Sequence, residues 1–213
     1  MNWSYESLSE TRFFDLGEKL WDIIVLSALW IIFSLPIITC GAASSALYYA
    51  VYKRITKQSG KPASDFMHAL KTNIKQGLPI HIIFTVYTLI IIFNIYFAVN
   101  GWGDLKLPDF YLPFALLLLL PLIVVYPFTY PYLARFSTDT KHILLHSAAF
   151  ASLNPGKVIL LWFITIISLG LMVILPLAIV TPYFAARLRL MVVEPVFEKA
   201  IETEKRRTEA SDE

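Results

Sequence analysis

An all-α, polytopic transmembrane helix bundle is the fold class that three features of this sequence predict: four long apolar blocks, a proline break inside each of the two longest, and a lopsided distribution of Lys and Arg. The 213 residues are 57% hydrophobic and 16% charged, too apolar for a soluble domain of this size and too charged for burial in lipid throughout. A chain that alternates between bilayer and water satisfies both. The blocks cover residues 21–52, 77–99, 111–134 and 157–186, and each reaches the roughly 20 apolar residues that a hydrocarbon core demands.

Before the first block, Glu6, Glu10, Asp15 and Glu18 outnumber Arg12 and Lys19, the reverse of the basic leader of a cleaved signal peptide, so the N-terminus is expected to be kept. The first block then runs LWIIFSLPIITCGAASSALYYAVYKR over residues 29–54. Lipid offers no hydrogen-bond partners, so a helix that loses its ladder near Pro36 and Gly41 must be covered by protein or lie at the interface. Small residues four apart, Gly41 with Ser45 and Ala42 with Ala46, let helix backbones approach closely. Pro36, Thr39 and Gly41 are therefore candidate structural positions. The single cysteine, Cys40, excludes an internal disulfide and reads as a small packing residue; a lipobox at Ile37–Cys40 is opposed by the size of Thr39 and by its distance into the chain.

Between the first and second blocks, Pro62 and Ser64 open a helix on which Phe66, Met67, Leu70 and Ile74 share one face and Asp65, His68, Lys71 and Lys75 the other. The stretch from Asp139 to Leu153 is similar, with Ile143, Leu144, Ala148 and Ala151 opposed by Lys141, His142 and His146. The first feeds into the span that starts near Gly77, and both are expected as short interfacial helices in the headgroup layer. The alternative is a cytoplasmic docking surface on which Lys71 and Lys75 meet an acidic patch; Phe66, Asn73 and Lys75 are candidate structural or contact positions on this segment. Residues 100–104, around Trp102, form the short outer loop and combine an aromatic with Asp104, which suits either an aromatic-belt anchor or a sugar site. Residues 1–193 read as one transmembrane domain, and residues 194–213 as a charged cytoplasmic tail that starts helical and frays into solvent.

Charge sets the topology. Lys and Arg number 2 before residue 21, 6 over 53–76, 1 over 100–110, 3 over 135–157 and 6 from 187 onward. If each block crosses once, they divide equally between the two sides and the positive-inside bias vanishes. If the first and last blocks fold back at their prolines, 17 of the 18 lie on one side. Six crossings with both termini in the cytoplasm are therefore expected, with four or five as the alternative because residues 37–52 and 176–186 are short for full spans. A loose echo supports the folding back: LPIITCGAASSALYYAVYKR, LPLIVVYPFTYPYLARF and LPLAIVTPYFAARLRL each run from Leu-Pro to a basic stop.

The sequence offers little chemistry. No phosphate-binding loop, dinucleotide fingerprint, zinc-protease motif or nucleophile elbow is present; Ser59, Gly60 and Lys61 lead into Pro62 without the glycine that a phosphate cradle needs. His142 and His146 share a helical face, with Asp139 one turn before, but two histidines on a polar face are more often hydrated than metal-bound. Asp22, His81 and Asn94 sit near block ends, and no Asp, Glu, Lys or Arg is expected at mid-membrane depth, which argues against a proton-coupled carrier. No enzyme, cofactor, metal or nucleic-acid partner is implied.

The run LPIITCGAASSALY, the lead-in of Phe13, Phe14 and Leu16, and the downstream SDFMHALKTNIKQ resemble the YesL-like family of bacterial integral membrane proteins. That resemblance implies a multi-pass protein of the bacterial cytoplasmic membrane whose genes lie beside those of carbohydrate-uptake ABC transporters and sensor kinases. The function expected is a non-enzymatic accessory or regulatory membrane protein linked to carbohydrate uptake or its sensing. Its partners are then the lipid bilayer, ABC transporter subunits or a sensor kinase, or a second copy of the chain. The alternative is a permease or channel-like component that passes a small neutral solute along broken helices at Pro36 and Pro176.

Overall fold

The structure is a computed structural model that describes residues 5–56, 61–101, 108 and 111–211. Among these it is wholly helical: α1 (Tyr5–Ser34), a 3₁₀ turn at Ile37–Thr39, α2 (Cys40–Ile55), α3 (Pro62–Asn100), α4 (Tyr111–Leu117), α5 (Leu119–Arg135), α6 (Thr140–Leu153), α7 (Pro155–Met172), the single turn α8 (Leu175–Ala178) and α9 (Thr181–Ser211).

Three antiparallel hairpins organise these helices. In the first, Arg54 at the end of α2 pairs with Asp22 at 2.7 Å and Glu18 at 2.8 Å, while the Trp30 indole donates to Ser44 at 3.2 Å. The chain thus folds back between α1 and α2. Pro36 is extended (φ −73°, ψ 110°) and has no N–H to continue the ladder of α1. The Thr39 hydroxyl lies 2.6 Å from the Phe33 carbonyl and 3.0 Å from that of Pro36, where it caps acceptors left over at the end of α1.

The second hairpin sets α3 against α4 and α5. Its rungs are Gln76 to the Thr138 carbonyl at 2.7 Å, His81 with Tyr130 at 2.7 Å, Tyr87 to the Leu118 carbonyl at 2.8 Å and Tyr111 to Asn94 at 2.7 Å. The third sets α7 against α9 through α8, where Ile174 is extended and Pro176 lies in the first turn. Arg189 donates to Thr165 at 3.1 Å, and Met172 and Thr181 line one cavity at the turn. The second arms α2, α5 and α9 meet in the middle, as their shared Leu-Pro pattern suggests.

Three helical segments are long and apolar enough to cross a membrane: Pro62–Asn100, Tyr111–Arg135 and Pro155–Met172. Their outer faces present large apolar side chains such as Leu89, Phe93, Ile159, Phe163 and Ile166, a surface that water would penalise and lipid accepts. The core centres on α2, where Ala42, Ala43, Ala46 and Ala50 are wholly buried beside Phe66 and Phe128. Small residues allow this closeness. A Cβ on Gly41 would stand 2.7 Å from a Tyr130 ring carbon and 2.9 Å from the His81 Cβ, and one on Gly77 would stand 3.0 Å from the Ala42 Cα.

Two expectations about segment boundaries are corrected. Residues 62–76 are not a separate interfacial helix: α3 continues from Pro62 through Pro79 to Asn100. Ending a helix at Gly77 would expose unpaired backbone groups, whereas Pro79 removes only the bond to the Lys75 carbonyl. Helix α6 is a separate 14-residue element, stopped at Asn154 before Pro155. The charged tail also starts later than residue 194, because Glu194, Val196 and Phe197 are buried in the bundle and continuous exposure begins at Ile201. Helix α9 carries that exposed stretch to Ser211.

One end of the bundle collects the charges. Arg54 with Asp22 and Glu18, Lys53 with Asp65 at 3.3 Å, and Arg135 with Glu194 at 3.2 Å all lie where α2 and α5 end. The turn at residues 35–39, the ends of α3 and α4 near Asn94 and Tyr111, and α8 occupy the opposite end.

Candidate functional site

Where the three second arms converge, the bundle leaves a cavity of about 160 Å³. Helix α2 contributes Cys40, Ser44, Leu47 and Tyr48; α5 contributes Tyr126, Tyr130 and Pro131; α7 contributes Thr165, Ser168, Leu169 and Met172; α9 contributes Arg189; and Trp30 of α1 closes a side. The sequence explains why space remains here. Ala185 and Ala186 on α9 are short, and Pro131 and Pro182 displace the backbones around them.

Arg189 is the distinguishing group. Its guanidinium donates to Thr165 Oγ1, and Thr165 lies near the middle of α7. Among the described residues no carboxylate lies within ion-pair distance of it. The Thr165 hydroxyl proton is committed to the Leu161 carbonyl at 2.7 Å, and the Ser168 hydroxyl to the Ile164 carbonyl at 2.6 Å. Ser44 accepts from the Trp30 indole, and Tyr130 is engaged by His81. The aromatic wall is rigid: Tyr126 stacks on Trp162 at 5.8 Å between centroids and meets Tyr130 edge-on at 5.4 Å, while the Trp162 indole donates to the Ile123 carbonyl at 2.7 Å.

A second arrangement lies at the charged end. The Tyr48 hydroxyl donates to Glu194 at 2.9 Å, Arg135 pairs with the same carboxylate, and the Arg135 guanidinium lies 3.9 Å above the Tyr52 ring. Burial pushes the Glu194 carboxyl above its ordinary range, against the pull of the Tyr48 hydroxyl and Arg135. The network ties α2, α5 and α9 together. Beside it, a cavity of about 260 Å³ is lined by His68, Asn73, Gln76, Arg135 and Phe136, among others.

The positions singled out in the sequence fall elsewhere. Pro36 is exposed at the turn, Thr39 caps it, and Gly41 touches Tyr130 from behind the cavity wall. Phe66 is completely buried against Phe33, which places it inside the bundle and not on a docking surface. Asn73 donates to Ser45 at 3.2 Å and borders the larger cavity, and Lys75 is exposed. The His146 ring stacks on Tyr132 at 5.6 Å, so the histidine pair is occupied by packing. The loop around Trp102, with Gly103 and Asp104, and Ser59 and Gly60 lie outside the described residues.

Sequence reasoning missed Arg189, which bonds Thr165 near the middle of the candidate span α7. Arg189 follows the apolar block at 157–186 by three residues, so hydropathy places it outside. Its depth is set by the break at α8, which offsets α9 against α7. The signal available was the Arg-Leu-Arg ending of the third Leu-Pro segment, which breaks the single basic stop of the second.

Residues 23–95 match the model of a family described as a protein of unknown function, DUF624, also known as the YesL-like family. The match spans α1 from Ile23, α2 and most of α3. No curated protein and no solved structure matches the chain.

Proposed function

We propose that this chain is a multi-pass membrane protein that holds a small solute at its centre and works without covalent chemistry, as a permease-like component. The observation that carries this reading is the cavity where three broken-backed hairpins meet, which runs from the α7–α9 turn to the middle of α7 and holds Arg189 in a largely apolar wall, the kind of place where broken-helix transporters keep their substrates. In this reading the chain crosses six times, with both termini and the basic loops in the bacterial cytoplasm. What supports the orientation is the charge division of 17 to 1 combined with the folding back of the first and third hairpins.

The second reading keeps the protein as an accessory or regulatory partner of carbohydrate-uptake ABC transporters or of a sensor kinase. The exposed face of α3 at the charged end, with His68, Lys71 and Lys75, favours it, as does the resemblance to a family found beside such genes. One experiment tests the topology and a second separates the readings. In a Cys40→Ser background, cysteines at Thr11 and Ser211 are expected to be shielded together from an impermeant thiol reagent added to whole cells; labelling of either one would refute six crossings. Mild crosslinking in native membranes, followed by mass spectrometry of the tagged chain, is expected to recover it alone or as its own oligomer. A stoichiometric transporter subunit or kinase would favour the accessory reading.

A further inference from the structure

Some donors in the cavity wall have no acceptor among the described residues. Ser44 accepts from Trp30, and no acceptor for its own proton is found among the described residues. The same holds for the Tyr126 hydroxyl, whose ring is fixed by Trp162 and Tyr130. Arg189 brings a fork of five N–H groups, and one bond to Thr165 leaves most of them free. A guanidinium without a counter-charge in a low-dielectric bundle is costly, and a bound anion relieves that cost.

We infer that the cavity is a binding site for a small organic monocarboxylate, its carboxylate on Arg189 and its body against Trp30, Leu169 and Met172. The planar fork of Arg matches a carboxylate in two parallel bonds. Ser44 and Tyr126 supply further donors for a keto or hydroxyl oxygen. A single cation lines the cavity, so a phosphate or sulfate dianion would be half-compensated, and chloride would make no use of the apolar wall. The volume admits a ligand of roughly six non-hydrogen atoms, the space of about five waters at ~30 Å³ each. This inference rests on the solute-holding reading and gives its solute a charge, in place of the neutral solute that the sequence suggested.

Cys40 lines the same cavity and is the only cysteine in the chain. Its labelling by methyl methanethiosulfonate in the purified full-length protein therefore reports occupancy. Pyruvate and lactate are expected to slow labelling at least about fivefold at saturation, as mass action requires of a mostly occupied site, and lactamide and glycerol to leave it unchanged. Arg189→Gln is expected to weaken pyruvate protection by about tenfold or more, and Tyr126→Phe, which keeps the packing, severalfold. Retention of radiolabelled pyruvate in equilibrium dialysis gives the same comparison without the thiol or the variants. Equal protection by lactamide or glycerol would overturn the carboxylate and leave solute binding standing. Protection by chloride or inorganic phosphate at the same concentrations would also overturn it. Unchanged labelling with every probe, together with no pyruvate retained, would overturn both readings.

Discussion

Arg135 and Arg189 are both half-buried guanidiniums on central second arms, yet their surroundings differ. Arg135 has a counter-charge: Glu194 lies 3.2 Å away and the Tyr52 ring covers one face at 3.9 Å, although the guanidinium also borders the larger cavity. Arg189 has a neutral threonine hydroxyl and an open cavity in front of it. A charge that faces a carboxylate holds helices together, whereas one without a counter-charge is available to something that comes and goes.

The largest expected effect breaks the closed side of this contrast. Arg135→Ala leaves the Glu194 charge buried without its partner and should cost about 3–5 kcal/mol, read as a lower unfolding temperature in mild detergent. Wild-type stability would mean that the network ties nothing. Next comes Gly41→Leu, which drives a side chain into Tyr130 and the His81 Cβ and should cost about 1–3 kcal/mol by overpacking, with lower membrane abundance. Normal abundance would mean that the wall behind the cavity yields.

The open side should behave in the opposite way. Arg189→Leu removes an uncompensated charge and leaves Thr165 bonded to the Leu161 carbonyl, so thermal stability should change by less than about 1 kcal/mol or rise. A loss as large as that of Arg135→Ala would make the two arginines equivalent. The smallest effect concerns pH. The Glu194 carboxyl is raised by burial, so its contribution favours the fold below the ordinary carboxyl value of about 4.3 and is lost as pH rises through the raised value. Glu194→Gln should flatten that weakly acidic decline in stability. A pH profile identical to wild type would mean that Glu194 is as well solvated folded as unfolded.

The hairpins were largely legible because their causes are local. A proline without an N–H, small residues after it and a basic stop are all read along the chain, and the Lys and Arg distribution distinguishes folding back from crossing once. The end of the amphipathic stretch at residue 76 was not legible, since neither Gly77 nor Pro79 stops a helix whose neighbours hold it. Arg189 and Glu194 were hidden for a related reason. Each lies just past an apolar block, and only the offset between packed helices determines how deep it sits. Hydropathy measures a residue's neighbours in sequence, and a cavity is made by neighbours in space.

Helix α3 has 39 residues, which at ~1.5 Å each make a rod of about 58 Å, close to twice the ~30 Å of a hydrocarbon core. About half of it must stand clear of the lipid. It packs on α2 at Gly77, against Ala42 and Gly41, and Pro79 follows two residues on. The half of α3 that carries the exposed His68 and Lys71 is thus long enough to project well beyond the apolar half that carries Leu89 and Phe93.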